Sequence, residues 1–441
     1  MTTPTAADIR AMIESAVGHQ HVSIDTARYV VDGVSPKLVA APDDIEHLAR
    51  LVKVADSAGL AIVPWGGGTR MTLGNRVERY DIAVVTTRLR RIIAHNSGDM
   101  TATVEAGITI DELQKALGLQ GQFLAIDPPM PSQATLGGTL AASINGPLKW
   151  QYGHLRDVVI GMKVVQANGA ITKSGGQVVK NVSGYDMVRL HIGALGTLGI
   201  IAEVSLKLTP TPRQESTVIA SFPNAKECFA ASMALFNSYV MPLAMTALDG
   251  DASRRAGVGY GSNTWHLIVR LGGRPRTIAR QVDDCVSVCR AGGASNLDTL
   301  DAEKAQQVWR AVADFGWDAD TTPVVAARAF VKPEQTGLLV DAISGSAAKD
   351  SLATVSHPAF GTAHLHWYDT AESDAPGLID MARSAAHRAG GKLIVDRCPT
   401  DTKTQIDVWD EIGAPIETMR RMKKQYDPNG IINPGRFVRG I

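Results

Sequence analysis

Three consecutive glycines interrupt the chain at 66–68, within Pro-Trp-Gly-Gly-Gly-Thr-Arg (64–70), directly behind the apolar run Leu60-Ala61-Ile62-Val63. The run reads as a buried strand. A chain gives up side chains at three successive positions where its backbone turns sharply or where something must lie against it. The loop is neither GxGxxG nor GxxxxGK followed by Ser or Thr, so neither a Rossmann fingerprint nor a P-loop is indicated. One reading is a tight turn between packed elements; the other is a nest of N–H groups aimed at a phosphate. A second glycine turn, Thr135-Leu136-Gly137-Gly138, follows the stiffening residues Pro128, Pro129 and Pro131, and a third segment carries Gly193, Gly196 and Gly199. Three such loops beside strands suggest an extended ligand with a diphosphate.

The 441 residues allow two or three domains with their own cores. With 44 basic and 44 acidic side chains the chain has no overall field to draw it onto nucleic acid or an anionic membrane. The first residues lack a basic stretch followed by an apolar one, so no secretory signal is expected. The longest uncharged run, 228–248, contains Ser232, Asn237, Ser238 and Pro242 and follows a capping pair, Asn224 with Glu227. It reads as a buried helix, a turn and a strand rather than a membrane span. The four cysteines (Cys228, Cys285, Cys289, Cys398) form no CxxC, which points to a reduced, cytoplasmic protein with no iron–sulfur cluster of its own.

Residues 43–57 form an amphipathic helix with Asp43 as cap, and 60–64, 81–86 and 101–105 read as strands. A helix over 109–117, a strand over 158–167, a helix over 184–195 and a strand over 199–208 follow. The texture changes at Thr209-Pro210-Thr211-Pro212, a natural boundary, which divides the chain into 1–212, 213–425 and an irregular tail, 426–441. Beyond it strands and helices alternate in the pattern of an α+β layer, with helices on one face of an antiparallel sheet. The stretch 297–322 has no evident place in that pattern.

PWGGGTR, DPPMPSQATLGGTLAASINGP, YGHLRDVVIGMKVV, KNVSGYDMVRLHIGALGTLGIIAEVSLKL and YDPNGIINPGR occur in that order. Together they resemble the flavin-binding domain of the vanillyl-alcohol oxidase superfamily, and within it the family of FAD-binding E subunits of bacterial glycolate oxidases. The resemblance implies a two-part PCMH-type FAD-binding domain, an α+β cap domain and a tail that returns to the first domain. It assigns Pro64, Gly66, Gly67, Gly68, Thr69 and Arg70 to the FAD pyrophosphate, with Pro128, Thr135, Gly137 and Gly138 on a second loop. Ala141, Ser143, Asn145 and Gly146 would continue along the cofactor, Gly199, Ile200 and Ile201 would lie near its adenosine and flavin portions, and Lys180 and Arg436 complete the set. Thr69 stands where relatives with a histidyl–flavin bond carry His, and no cysteine precedes Cys228, so the FAD is expected to be non-covalent.

Oxidation of a 2-hydroxy acid at a flavin needs a cation for the carboxylate, a base for the hydroxyl proton and an α-carbon facing the ring. His364 and His366 alternate on one strand and so share a face; that spacing suits a metal or a catalytic pair, and equally a packed pair. The acidic and glycine positions that complete the metal motif of the related D subunits and D-lactate dehydrogenases are absent, and no metal is assigned. Arg397 is either a carboxylate holder or half of a cap ion pair, and His154 is a further residue near the flavin loops. A well-marked cofactor site beside a poorly marked catalytic one suits a flavoprotein subunit of a glycolate (2-hydroxy acid) dehydrogenase. Such a subunit would work with a D-like flavoprotein and an iron–sulfur subunit, and would meet a membrane only through those partners. The alternatives are a self-sufficient FAD-dependent dehydrogenase of the D-lactate type and a non-redox nucleotide-binding protein.

Overall fold

A computed structural model describes residues 5–177, 185–258, 264–317, 322–345 and 351–441. Among the described residues the N-terminal region holds two larger sheets. The first has three parallel strands, Leu38–Ala40, Ile82–Val85 and Ile62–Trp65, with Val22–Ser23 antiparallel at its edge. The helices Ala6–Val17 and Ile45–Ser57 lie on it. The second is antiparallel, in the order Ile92–Asn96, Thr101–Glu105, Ile200–Lys207, Val159–Val165, Ile171–Gly175. Leu48, Leu51, Val52 and Ala55 leave solvent entirely when the helix Ile45–Ser57 docks, at about 1.5–3 kcal/mol for each large aliphatic side chain. Its cap is Asp44, whose carboxylate accepts from the His47 N–H, while Asp43 takes the His47 ring.

The second region is one antiparallel sheet of eight strands, in the order Asn296–Leu300, Gln214–Phe222, Trp265–Gly273, Ala244–Leu248, Leu352–His357, Thr362–Trp367, Val325–Phe330, Lys392–Arg397. Four helices, Ala225–Phe236, Pro275–Ala291, Thr336–Ser344 and Ala375–Arg388, cover one face. The other face looks toward the N-terminal region. It also carries the short helix Gly250–Arg255 and the helix Ala302–Asp314, the latter burying Val308, Trp309 and Val312 against Ile219, Ile268 and Leu248. Of the stretch with no evident place, residues 297–314 are therefore an edge strand followed by the helix Ala302–Asp314, and helices lie on both faces rather than one.

Val188–His191 is the only helical turn described within 184–195, because Gly193, Leu195, Gly196 and Gly199 all take positive φ and the chain cannot continue as a right-handed helix. Thr209–Pro210, at the expected domain boundary, pairs with Gln122–Phe123. Residues 431–433 add to the free side of the first sheet. Ile62 N–H donates to the Ile431 carbonyl (2.8 Å) and Asn433 N–H to the Ile62 carbonyl (2.8 Å). Contacts with the N-terminal region begin earlier than the tail: Lys403 Nζ meets Asp32 at 2.8 Å and the Thr72 carbonyl at 2.7 Å. No helix among the described residues is long and apolar enough to cross a membrane. All four cysteines are free and buried.

Candidate active site

The glycine loop leaves the carboxyl end of the parallel strand Ile62–Trp65, the edge at which open parallel sheets bind ligands. What lies against its first two glycines is the second loop. A Cβ on Gly67 would stand 1.7 Å from the Gln133 carbonyl oxygen, and one on Gly66 would overlap the Thr135 hydroxyl. Gly68 has φ +77° and turns the chain away. Among the described residues no protein acceptor receives the backbone N–H of any residue from 66 to 70. Five successive unspent donors at one wall of a cavity of about 730 Å³ fit an extended anionic group such as a diphosphate. Pro64, Thr69, Arg70, Thr135, Gly137, Gly138 and Ala141 line the same cavity, with Gly199, Ile200, Ile201 and Arg436 on its far side. Thr135 caps the helix Leu136–Ala142 by accepting from the Gly138 N–H, and Gly137 is required where the chain crosses Ala106.

Arg436 is fully buried, and its Nη2 donates to the carbonyls of Met71 (2.7 Å) and Leu73. It thus pins the exit of the glycine loop. Asn433 Nδ2 donates to the Leu195 carbonyl (2.6 Å), and Lys423 Nζ to the Thr197 carbonyl (2.9 Å), so residues near the tail hold the third glycine segment as well. Ser143, in the left-handed conformation, lines an adjoining chamber with Asn145, Lys149 and His154. Asn145 and Gly146 also line a pocket under the cap, whereas Pro128 is buried and its neighbour Pro129 faces that pocket. Lys180 lies outside the described residues.

The cap pocket, about 440 Å³, sits between these loops and the open face of the eight-stranded sheet. Alternation on the strands Val325–Phe330, Leu352–His357 and Thr362–Trp367 turns Arg328, His357, His364 and His366 to this face, while Ala327, Leu365 and Trp367 enter the opposite core. A register shift opposite Ala326–Ala327 makes a bulge in Lys392–Arg397 that brings Asp396 and Arg397 to one side. Arg328 grips Asp396 through two bonds, Nε–Oδ2 at 2.7 Å and Nη2–Oδ1 at 2.8 Å. Arg397 forms no such pair among the described residues: its Nε has no hydrogen-bond partner, its guanidinium carbon is 5.9 Å from the centre of the Trp317 ring, and it does not line the pocket. The cap ion pair belongs to Arg328.

The three histidines are neutral. Burial pushes the pKa of His357 down to about 3 and of His366 to about 4, and His364 lies well below its ordinary value for the same reason, helped by His357 and Arg328. The His357 ring contacts His364 at 5.1 Å between centroids, and His364 and His366 stack at 6.3 Å. His357 Nδ1 bonds Thr246 Oγ1 at 3.0 Å. Among the described residues the one group of three ligand atoms within 4.8 Å of one another is Asp43, Asp44 and His47, on the outside of the N-terminal region.

The sequence reading passed over Arg328, His357, Asp396 and Trp317, and it placed Arg70 on the cofactor alone. Arg70 carries its guanidinium across into the cap pocket, where its central carbon lies 3.3 Å over the Trp317 ring. Arg328 alternates with alanines in an apolar strand, a signal that a buried partner exists but not which one.

The fold and these loops define a two-domain flavoprotein with a cap. The first domain matches the FAD binding domain over residues 36–175, and the second the C-terminal domain of FAD linked oxidases over 211–396 and 411–437. The chain belongs to the FAD-linked oxidases, and FAD is its cofactor. It is 25% identical over 427 residues to glycolate oxidase subunit GlcD of Bacillus subtilis, with 91% of this chain and 89% of that protein covered. It is 27% identical over 422 residues to the mitochondrial D-lactate dehydrogenase [cytochrome] of Arabidopsis thaliana, with 91% and 73% covered. Its fold matches p-cresol methylhydroxylase with a TM-score of 0.73 over 98% of this chain and 96% of that one; at 15% identity the likeness is one of fold alone.

Proposed function

We propose that this chain oxidises a small 2-hydroxy acid to the 2-oxo acid at a non-covalently held FAD, in a substrate site of its own under the cap. The observation that carries this reading is the cap pocket itself, which shares Arg70 with the cofactor cavity and sets neutral imidazoles beside guanidinium groups. The N–H groups of 66–70 and the walls at Gly138, Ala141 and Ile200 hold the cofactor. When bound, FAD supplies the acceptor for the hydride from the substrate α-carbon. His364, neutral and lining both the pocket and the adjoining chamber, takes the hydroxyl proton. Asn145 Nδ2, buried without a partner, is a donor for substrate oxygen. Asp396 fixes Arg328 so that the charge facing the pocket is held rigidly.

Thr69 in the cavity and the absence of cysteine before Cys228 support a flavin that acid precipitation releases. Likeness to a glycolate oxidase subunit favours a second reading, in which the chain is one flavoprotein of a complex and passes electrons to an iron–sulfur partner. Anaerobic addition of glycolate or D-lactate to the yellow protein separates the two: bleaching of the flavin by the isolated chain supports its own site, and a flavin that stays oxidised until partners are added supports the subunit role.

A further inference from the structure

The pocket contains two guanidinium groups in unequal states. Arg328 is already neutralised by both oxygens of Asp396. Arg70 has no carboxylate or carbonyl bonded to it among the described residues; its Nη1 is buried without a hydrogen-bond partner, and its face rests on Trp317. Burial holds its pKa down, to about 9, with only partial relief from the more distant Asp396 and Asp314, so among the described residues the cation lacks a close counter-charge, yet it stays protonated at neutral pH. A buried guanidinium with a free edge and a stacked face is built to receive a planar anion. The wall's other cation, Arg328, is already paired with Asp396, Asn145 and the three histidines are neutral, and the remainder is largely apolar, with Ile144, Pro147, Val312, Phe315 and Val355. A second carboxylate there would be desolvated beside Asp396 with no unpaired cation among the lining residues to meet it. The backbone of Arg70 belongs to the cofactor loop, but Trp317 lines the cap pocket and not the cofactor cavity, so the charged end lies on the substrate side.

We infer that Arg70, and not Arg397, anchors the carboxylate of the substrate, and that the pocket takes 2-hydroxy monocarboxylates with a short or apolar tail in preference to 2-hydroxy dicarboxylates. This rests on the substrate site proposed above. It also makes the loop that holds the cofactor the same segment that holds the substrate anion.

The test uses the FAD-loaded full chain and non-oxidisable probes, propionate against succinate, with binding read by calorimetry and by tryptophan fluorescence. Wild-type protein binds propionate at least about tenfold more tightly than succinate. R70Q keeps its flavin absorbance and loses propionate affinity by about 50-fold or more, R70K recovers part of it, and R397Q changes it by less than about threefold. W317L, which removes the stacking face but leaves the charge, weakens binding by about three- to tenfold and serves if R70Q does not fold. Undiminished binding in R70Q, loss carried by R397Q instead, or a preference for succinate overturns the inference. Anaerobic flavin reduction by D-lactate against D-2-hydroxyglutarate is measured in parallel. Reduction by D-lactate with Arg70-independent binding sinks the anchor alone. Arg70-dependent binding without reduction by any hydroxy acid upholds the anchor and sinks the proposed oxidation.

Discussion

Replacing Gly67 by alanine puts a methyl group where the Gln133 carbonyl already stands. The Cβ would lie 1.7 Å from that oxygen, whereas real contacts of this kind stay beyond 3.0 Å, so the two loops must part by roughly 1.3 Å. The carbonyl cannot retreat easily. Its neighbour Ala134 is tied on both sides, with its N–H on the Met130 carbonyl (2.7 Å) and its own carbonyl receiving the Ile110 N–H (3.0 Å). The glycine loop must therefore give, and it carries the unspent N–H groups with it. Overpacking of this kind costs about 2–3 kcal/mol. If most of that falls on the cofactor cradle, the FAD dissociation constant rises roughly 30- to 150-fold. Titration of apoprotein with FAD, followed by quenching of flavin fluorescence, measures it. Gly66→Ala is milder in its clash, since the Thr135 hydroxyl can rotate, but it sacrifices the cap of Leu136–Ala142 at about 1 kcal/mol. Gly118→Ala is the control: nothing lies within 4 Å of its Cβ at the end of the helix Ile110–Gly118, so FAD affinity is unchanged. Wild-type FAD affinity in Gly67→Ala would refute the argument that the two loops form one cradle.

Arg328→Met strands the Asp396 carboxylate in the pocket and destabilises the chain by about 3–5 kcal/mol, read as a drop in urea midpoint, while Arg328→Met with Asp396→Asn recovers most of it. Arg436→Met releases the Met71 and Leu73 carbonyls, costing about 1.5–3 kcal/mol and lowering the flavin-to-protein ratio after gel filtration. The folded-state pKa of His357 lies below its unfolded value, so its contribution to stability is complete above about pH 6.5 and is lost as pH falls from there toward about 3. Urea midpoints at pH 7, 6 and 5 therefore decline with a slope that His357→Gln makes shallower, and equal slopes would count against a neutral buried imidazole.

Much of the scaffold was legible because its signals are local. The strand Thr101–Glu105 and the helices Ile45–Ser57 and Ala225–Phe236 follow from alternation, apolar stripes and capping residues within one or two turns of chain. The glycine loops stood out for the same reason. The helix Ala302–Asp314 carries an equally plain signal, Asp301 as cap and Val308, Trp309 and Val312 on one side, and was passed over because no place for it was apparent. The pocket was not legible because it is assembled from distant segments. Arg70 meets Trp317 across some 250 residues, Arg328 meets Asp396 across a strand pair, and the bulge that turns Arg397 beside Asp396 leaves no mark in composition. His364 and His366 were visible as a pair, but their neutrality comes from burial beside His357 and Arg328, which spacing alone does not reveal.

The contribution of residues 431–436 to the first sheet sets an order of events during synthesis. The free side of Ile62 and the carbonyls of Met71 and Leu73 have no partners until Ile431, Asn433 and Arg436 emerge from the ribosome. The cap sheet, whose strands all lie between Gln214 and Arg397, is complete before that moment. The cofactor domain begins first and closes after the cap, so a nascent chain stalled within the cap holds an open cradle, and FAD is captured securely only once residues 431–436 have joined the first sheet and pinned the loop.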